Sequence, residues 1–166
     1  IPVVVMALIS EGGVLLIGQP VWARLYGDAP ADAVEVEVVA KQFEWIVRYP
    51  GRDGRFGRTQ AGLVSDADNP IGLDEGDPAA KDDVIFRGEL HLPEGRGAVV
   101  RLRSHDVLHS FSVPSFRVKQ DVVPGFTGRT QFLPRRKGTY EIACAELCGL
   151  GHFRMRGLLH VTSAAD

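Results

Sequence analysis

One short segment holds the residues with the most distinctive chemistry in the chain. It reads Cys144-Ala-Glu-Leu-Cys148-Gly-Leu-Gly-His152-Phe-Arg-Met155 and follows a predicted strand. Thiol, imidazole and thioether ligands together favour a soft or borderline metal, and the thioether in particular favours copper. Cys148, His152 and Met155 have the spacing of a mononuclear copper loop. Such a site needs a second histidine from elsewhere in the fold. His109 is the candidate, because it lies at the end of another predicted strand.

Cys144 does not fit a site with a single copper ion. A second thiolate would overfill such a site, whereas two thiolates can bridge two coppers that have one histidine each. Each copper then needs a weak axial ligand, which Met155 can supply for one and a backbone carbonyl of the loop for the other. Two alternatives use the same residues: a disulfide between Cys144 and Cys148, or a zinc site completed by His109 and His152. The zinc site gives Met155 no role.

Short strands are expected to position these ligands. Turn signals separate several of the strands, and no helical period appears after the N-terminal segment, so the pattern indicates an all-β sandwich or barrel. His91 and His160 fall in strands and are interpreted as structural, and His105 is interpreted as a surface residue. The predicted strands are Val34–Val39, Gln42–Tyr49, Val84–Leu92, Ala98–Arg103, Leu108–Val113, Arg129–Leu133, Thr139–Ala143 and Gly157–Val161.

The first part of the chain differs from the rest. Residues 1–26 are largely apolar and are interpreted as the C-terminal part of a transmembrane helix, with Trp22 and Tyr26 at the membrane interface. A buried N-terminal core helix is the alternative. Residues 27–33 are predicted to be a linker, 34–162 the β domain and 163–166 a tail. Within the β domain, residues 52–83 are predicted to form a long solvated loop. The alternative is that they form a docking surface for a charged partner.

Composition excludes some classes of protein. The 166 residues are 45% hydrophobic and 24% charged, which is typical of a globular protein. The formal net charge of -2 argues against nucleic acid as a partner, because nucleic-acid binders usually carry a basic excess. Two cysteines are too few for a scaffold built on disulfides.

The ligand pattern Cys-x-x-x-Cys-x-x-x-His-x-x-Met resembles the binuclear CuA loop of subunit II of haem-copper cytochrome c oxidases. Three other segments resemble the same family: Asp106–Pro114 around His109, Lys119–Gly125, and the aromatic strand that ends Tyr49-Pro50-Gly51. The resemblance covers residues 34 to 162. It implies a cupredoxin-like Greek-key β-barrel outside the membrane, preceded by the end of a transmembrane helix.

The resemblance also implies a ligand set for two copper ions bridged by the two cysteines. His109 and Met155 would complete one copper, and His152 with the Glu146 backbone carbonyl would complete the other. The Glu146 side chain would face the catalytic subunit, where the family has a magnesium site. Four apolar residues are expected to exclude water from the metals: Phe111, Leu147, Leu150 and Phe153.

The implied function is electron transfer within a respiratory oxidase. The chain would accept electrons from cytochrome c or another donor and pass them to the haem-bearing subunit I. It would lie in a membrane, expected to be a bacterial inner membrane, with the copper domain on the periplasmic or outer face. Phe43 replaces a tryptophan that the family often has, and Phe43 and Trp45 are the expected electron-entry residues. The alternatives are the CuA domain of a nitrous oxide reductase and a stand-alone protein that binds or delivers copper.

Overall fold

The computed structural model describes residues 1–163, and within them ten strands form two five-stranded sheets. The first sheet has the order β3-β2-β1-β5-β8 and the second the order β4-β10-β9-β6-β7. Strands β1 and β5 are parallel, as are β4 and β10, and the other neighbours are antiparallel. The strands are β1 Val34–Lys41, β2 Glu44–Tyr49, β3 Val84–Arg87, β4 Glu89–Pro93, β5 Ala98–Ser104, β6 His109–Val113, β7 Val118–Val122, β8 Gly128–Phe132, β9 Gly138–Cys144 and β10 Arg156–Thr162. This architecture confirms the predicted all-β, cupredoxin-like fold.

The core lies between the two sheets. Alternate residues of each strand point inward, so Val36 and Val38 of β1 meet Phe111 of β6 in one buried cluster. Cys148 and Met155 belong to the same cluster, although they lie in the loop between β9 and β10. The predicted metal loop is therefore attached to the end of the core.

The outer face of the first sheet is also covered, which the sequence did not indicate. Residues 52–83 fold over it, so that Ile71 packs on Val39 and Ile46 in a second buried cluster. The prediction that β1 is half-buried was therefore wrong. The predicted solvated loop is correct in part, because residues 61–68 are exposed whereas Pro70, Ile71 and Gly72 are buried. Only short turns of 3-10 helix interrupt the described part of the domain: Ala61–Leu63, Pro78–Ala80, Pro114–Phe116 and His152–Arg154.

Arg48 fixes the segment 52–83 against the sheet. Its side chain is 2% exposed and lies 3.4 Å from the Glu37 carboxylate and 3.6 Å from that of Asp83. It also donates to the carbonyl of Gly57 at 3.0 Å and packs 4.8 Å from the centre of the Phe56 ring. Burial raises the pKa of Asp83, although Arg48 and the Gly57 N–H act in the opposite direction.

Strand boundaries differ from the prediction at three places. Residues 84–92 form two strands in different sheets, because Gly88 has a φ of +72° and lets the chain turn between them. Gln42 and Phe43 precede β2, in the turn that follows β1. The edge strand β7, Val118–Val122, was not predicted, since its polar residues hide the alternation.

Residues Pro2–Tyr26 form one helix of 25 residues, with a π turn at Val14–Gly18. Its length and its mean hydropathy of 1.7 are sufficient for crossing a membrane, and none of its described residues is buried. Gln131 and Arg129 donate hydrogen bonds to the carbonyls of Arg24 and Gly27, and so attach the end of the helix to β8. Of the predicted tail, only Ser163 is among the described residues.

Candidate metal centre

The loop between β9 and β10 is closed at its base by backbone hydrogen bonds. Cys144 N–H donates to the Met155 carbonyl at 3.3 Å, and Ala145 N–H donates to the Ser110 carbonyl of β6 at 2.9 Å. A turn near the end of the loop is fixed by the His152 N–H, which donates to the Gly149 carbonyl at 3.1 Å. These bonds hold the loop against β6, the strand that begins with the candidate ligand His109.

The two cysteines and the two predicted histidines converge at this end of the core. The Cys144 and Cys148 sulphurs are 3.8 Å apart, and both cysteines are free thiols. His109 Nδ1 lies 3.9 Å from the Cys144 sulphur, and His152 Nδ1 lies 3.5 Å from the Cys148 sulphur. The ligand atoms of His109 and both cysteines lie within 4.8 Å of one another.

Two weaker donors complete the cluster. The Met155 Sδ is 3.7 Å from the Cys148 sulphur, and the Glu146 carbonyl oxygen is 3.1 Å from the Cys144 sulphur. All six predicted ligand residues are thus brought together, whereas the Glu146 side chain is exposed. Assignment of each ligand to one of two coppers stays a prediction, because each bridging sulphur would contact both.

The donor set fits copper better than zinc. Tetrahedral zinc would be satisfied by two thiolates and two imidazoles. Met155 would then be a thioether without a ligand role, yet it is 2% exposed and faces Cys148. A soft thioether beside thiolates and imidazoles is the combination that copper sites use.

The interior of the site is shielded from water. His109 is fully buried and Cys148 is 3% exposed. Burial, together with the adjacent Cys144 sulphur, raises the pKa of the Cys148 thiol to about 11. The metal-free site therefore favours a protonated thiol, and a metal that binds there must displace the proton.

Asp106 orients His109 from the side away from the sulphurs. Its carboxylate lies 2.8 Å from His109 Nε2, and we assign the proton to Nε2 because Nδ1 faces Cys144. Backbone N–H groups of Gln42 and Val107 donate to the same carboxylate at 2.7 and 2.6 Å. Partial burial raises the pKa of Asp106. The hydrogen bonds that its carboxylate accepts, of which the one from His109 has the largest effect, outweigh burial and bring the pKa below its usual value.

Gln42 is a site residue that sequence reasoning missed. Its side-chain amide donates to the Cys148 carbonyl at 2.6 Å, while its N–H donates to Asp106. It therefore links the metal loop to the carboxylate that orients His109. No local sequence signal marks Gln42, since 106 positions separate it from Cys148.

The two predicted electron-entry residues differ in exposure. Phe43 is half-buried, and its ring lies under Gly149 and Gly151, where an added Cβ would come within 3.2 and 2.4 Å of ring atoms. Trp45 is fully buried, and its ring centre is 6.3 Å from that of His109. Only Phe43 of this pair is accessible to a partner from the surface.

The predicted shell of four apolar residues is only partly correct. Phe111 is fully buried and packs edge-on against Trp45, with ring centres 5.7 Å apart. The other three side chains point outward from the loop, and Leu150 is 97% exposed. They are Leu147, Leu150 and Phe153. The loop is too short to turn these side chains inward while its ligands occupy the interior.

Known proteins of one family are similar to this chain. The family model for cytochrome c oxidase subunit II, periplasmic domain, matches residues 75–161, just over half of the chain. The alternative cytochrome c oxidase subunit 2 of Bradyrhizobium diazoefficiens is 43% identical over 95% of this chain and 57% of its own length. Cytochrome c oxidase subunit 2 of Thermostichus vulcanus is 37% identical over 84% of this chain and 32% of its own.

One solved structure is similar to this chain in fold and sequence. The periplasmic domain of subunit II of cytochrome oxidase from Bradyrhizobium japonicum matches with a TM-score of 0.59 and 26% identity. The match covers 83% of this chain and 90% of that structure. The chain spans about a third to three fifths of the length of the two relatives above. By the extent of the family match, the chain belongs to the cytochrome c oxidase subunit II family.

Proposed function

We propose that this chain is the electron-transfer subunit of a haem-copper oxidase and holds two copper ions at the loop between β9 and β10. The observation that carries the proposal is the convergence of two free thiols, 3.8 Å apart, with two imidazoles, a thioether and a backbone carbonyl. Two coppers bridged by the thiolates would supply one-electron chemistry with the charge shared between both metals.

The residues of the chain supply a fixed and dry environment for that chemistry. Buried His109 and Cys148 change little in position when their surroundings are close-packed, so the cost of reorganisation on electron transfer is low. Asp106 orients His109 through a hydrogen bond to its ring, and Gln42 holds Cys148 through a hydrogen bond to its carbonyl. Such hydrogen bonds fix the orientation of metal ligands without contacting the metal.

Electrons are proposed to enter at the exposed end of the site. Phe43 lies between the surface and the loop, and Trp45 lies deeper, beside His109. The three outward apolar side chains of the loop surround the same end and offer a contact surface for cytochrome c or another donor. Trp45 itself would not contact the donor.

The partner subunit, the magnesium ion and the membrane complete the proposal. The exposed Glu146 side chain follows the bridging Cys144, so it is available to a haem-bearing catalytic subunit and to magnesium at that interface. The helix Pro2–Tyr26 would anchor the chain in a bacterial inner membrane, with the copper domain on the periplasmic face. The relatives above are named oxidase subunits, which favours this proposal over a nitrous oxide reductase or a copper-delivery protein.

Stopped-flow reduction of the copper-loaded full chain by a reduced c-type cytochrome tests the proposal. We expect rapid bleaching of the copper absorbance with matching oxidation of the cytochrome, and complete loss of both in Cys148→Ser. Met155→Leu should shift the reduction potential, whereas Met6→Leu, which changes the only other methionine, should not. Copper that stays oxidised both in excess reduced cytochrome and in excess of a small-molecule reductant would contradict an electron-transfer role.

A further inference from the structure

A second cluster of metal-ligating side chains lies on the outer face of the second sheet. His91 of β4 and His160 of β10 are direct partners in the parallel pairing of these strands. Glu89 precedes His91 by two residues and so lies on the same face. The intervening Leu90 and the neighbouring Leu159 are fully buried, which directs the other three side chains away from the core.

The three side chains are already close together. His91 Nε2 lies 3.3 Å from a Glu89 carboxylate oxygen, and the two imidazole rings stack with centres 4.8 Å apart and planes 21° apart. One ligand atom from each of the three residues lies within 4.8 Å of the others. Ligand atoms around a tetrahedral Zn²⁺ are about 3.4 Å apart, given bonds of about 2.1 Å. The His91–Glu89 pair is already at this separation, and the His160 ligand atom needs to approach by no more than about 1.4 Å, the difference between 4.8 and 3.4 Å.

One nitrogen of this cluster lacks a partner. His160 Nδ1 lies 3.1 Å from the Thr139 hydroxyl, but His160 Nε2 is buried and has no hydrogen-bond partner among the described residues. A buried polar atom without a partner costs free energy, and packing alone would be served as well by an apolar ring. A cation would satisfy this nitrogen.

The backbone under the cluster is held in place. The Tyr49 hydroxyl accepts a hydrogen bond from His91 N–H at 2.6 Å and donates one to the His91 carbonyl at 2.9 Å. The Phe86 ring packs against His91, with ring centres 5.2 Å apart. The scaffold of the cluster is therefore fixed before any ligand binds, which reduces the entropy lost on binding.

We infer that Glu89, His91 and His160 bind one divalent transition-metal ion of the zinc class. Two imidazoles and a carboxylate suit such a cation, and three protein ligands leave a coordination position open to solvent or to a partner. His160 is five residues beyond Met155 along an extended strand, a separation of roughly 16 Å. The inferred site is thus separate from the proposed copper centre, and it gives these two histidines a ligand role in addition to the structural one expected from the sequence.

Residue-resolved NMR of the histidine side chains tests this site, with Zn²⁺ added to the full chain in detergent. The five histidines give separate signals, so zinc bound by the cysteines is distinguished from zinc bound here. We expect the His91 and His160 signals to shift together, with the same zinc concentration at the midpoint of both titrations. In His160→Gln the zinc concentration at the midpoint of the His91 titration should rise by about tenfold or more. Loss of a metal ligand, or of a residue that supports one, typically lowers metal affinity by at least that factor.

Two further variants make the test decisive. Glu89→Gln changes an exposed side chain and should also weaken binding without affecting the fold. His105→Gln changes a histidine elsewhere and should leave the midpoint unchanged. The inference is overturned if His91 shifts alone, if its midpoint is the same in His160→Gln, or if neither signal moves at millimolar zinc.

Discussion

Replacing Gly151 by alanine tests how the metal loop is seated on Phe43. Gly151 is buried and has ordinary backbone angles, φ -92° and ψ 9°, so alanine introduces no backbone strain. Its Cβ would lie 2.4 Å from Cδ2 and 2.6 Å from Cγ of the Phe43 ring. Since carbon atoms normally approach to about 3.5 Å, the ring or the loop must move by roughly 1 Å.

The expected cost is an overpacking penalty of about 1–3 kcal/mol in the free energy of unfolding. It is measured by urea denaturation of the metal-free chain, followed by circular dichroism of the β domain. Gly62→Ala is the matched control, because no atom lies within 4 Å of a Cβ there. We expect that control to change stability by no more than about 0.5 kcal/mol.

A Phe43→Ala background identifies the cause. Without the ring the clash disappears, so Gly151→Ala should cost about 1 kcal/mol less in that background than in the native chain. In the native background the displaced loop should also alter the copper spectrum, because His152 follows Gly151 directly. An equal cost in both backgrounds, or no cost in either, would refute the proposed packing of the loop on Phe43.

Three further predictions follow from the described contacts. Asp106→Asn should weaken copper binding about 10–100-fold, measured by competition with a chelator, because an amide cannot accept from His109 and both backbone N–H groups together. Arg48→Met should lower the free energy of unfolding by about 3–5 kcal/mol, since buried Asp83 loses its arginine partner and buried Glu37 keeps only Arg103, whereas exposed Arg101→Met should cost about 1 kcal/mol or less. Copper affinity should rise with pH, by about tenfold per unit for each thiol proton released, because the pKa of Cys148 is raised to about 11; an affinity independent of pH would contradict this.

The ligand loop could be predicted from sequence because its chemistry is local. Cys144 ends β9, and Cys148, His152 and Met155 lie in the loop that follows it, so their spacing alone indicates a metal site. His109 is 35 positions away from Cys144, and the residues alone made it only a candidate. The sheet pairing of β6 with β9 is what brings them together.

Features that depend on distant contacts were not predictable. Gln42 has no local pattern, yet its amide reaches Cys148 across the end of the core. Ile71 lies in a largely polar segment, and it is buried because that segment covers β1 and β2. The burial of Ile71 comes from packing between segments that are distant in sequence, and no hydrophobic periodicity marks it.

Electron paramagnetic resonance of the copper-loaded, partly oxidised full chain distinguishes a binuclear from a mononuclear copper site. We expect a seven-line copper hyperfine pattern with about two coppers per chain, since two bridging thiolates would share one unpaired electron between the metals. A four-line pattern with one copper per chain would contradict the binuclear centre and the electron-transfer function proposed from it.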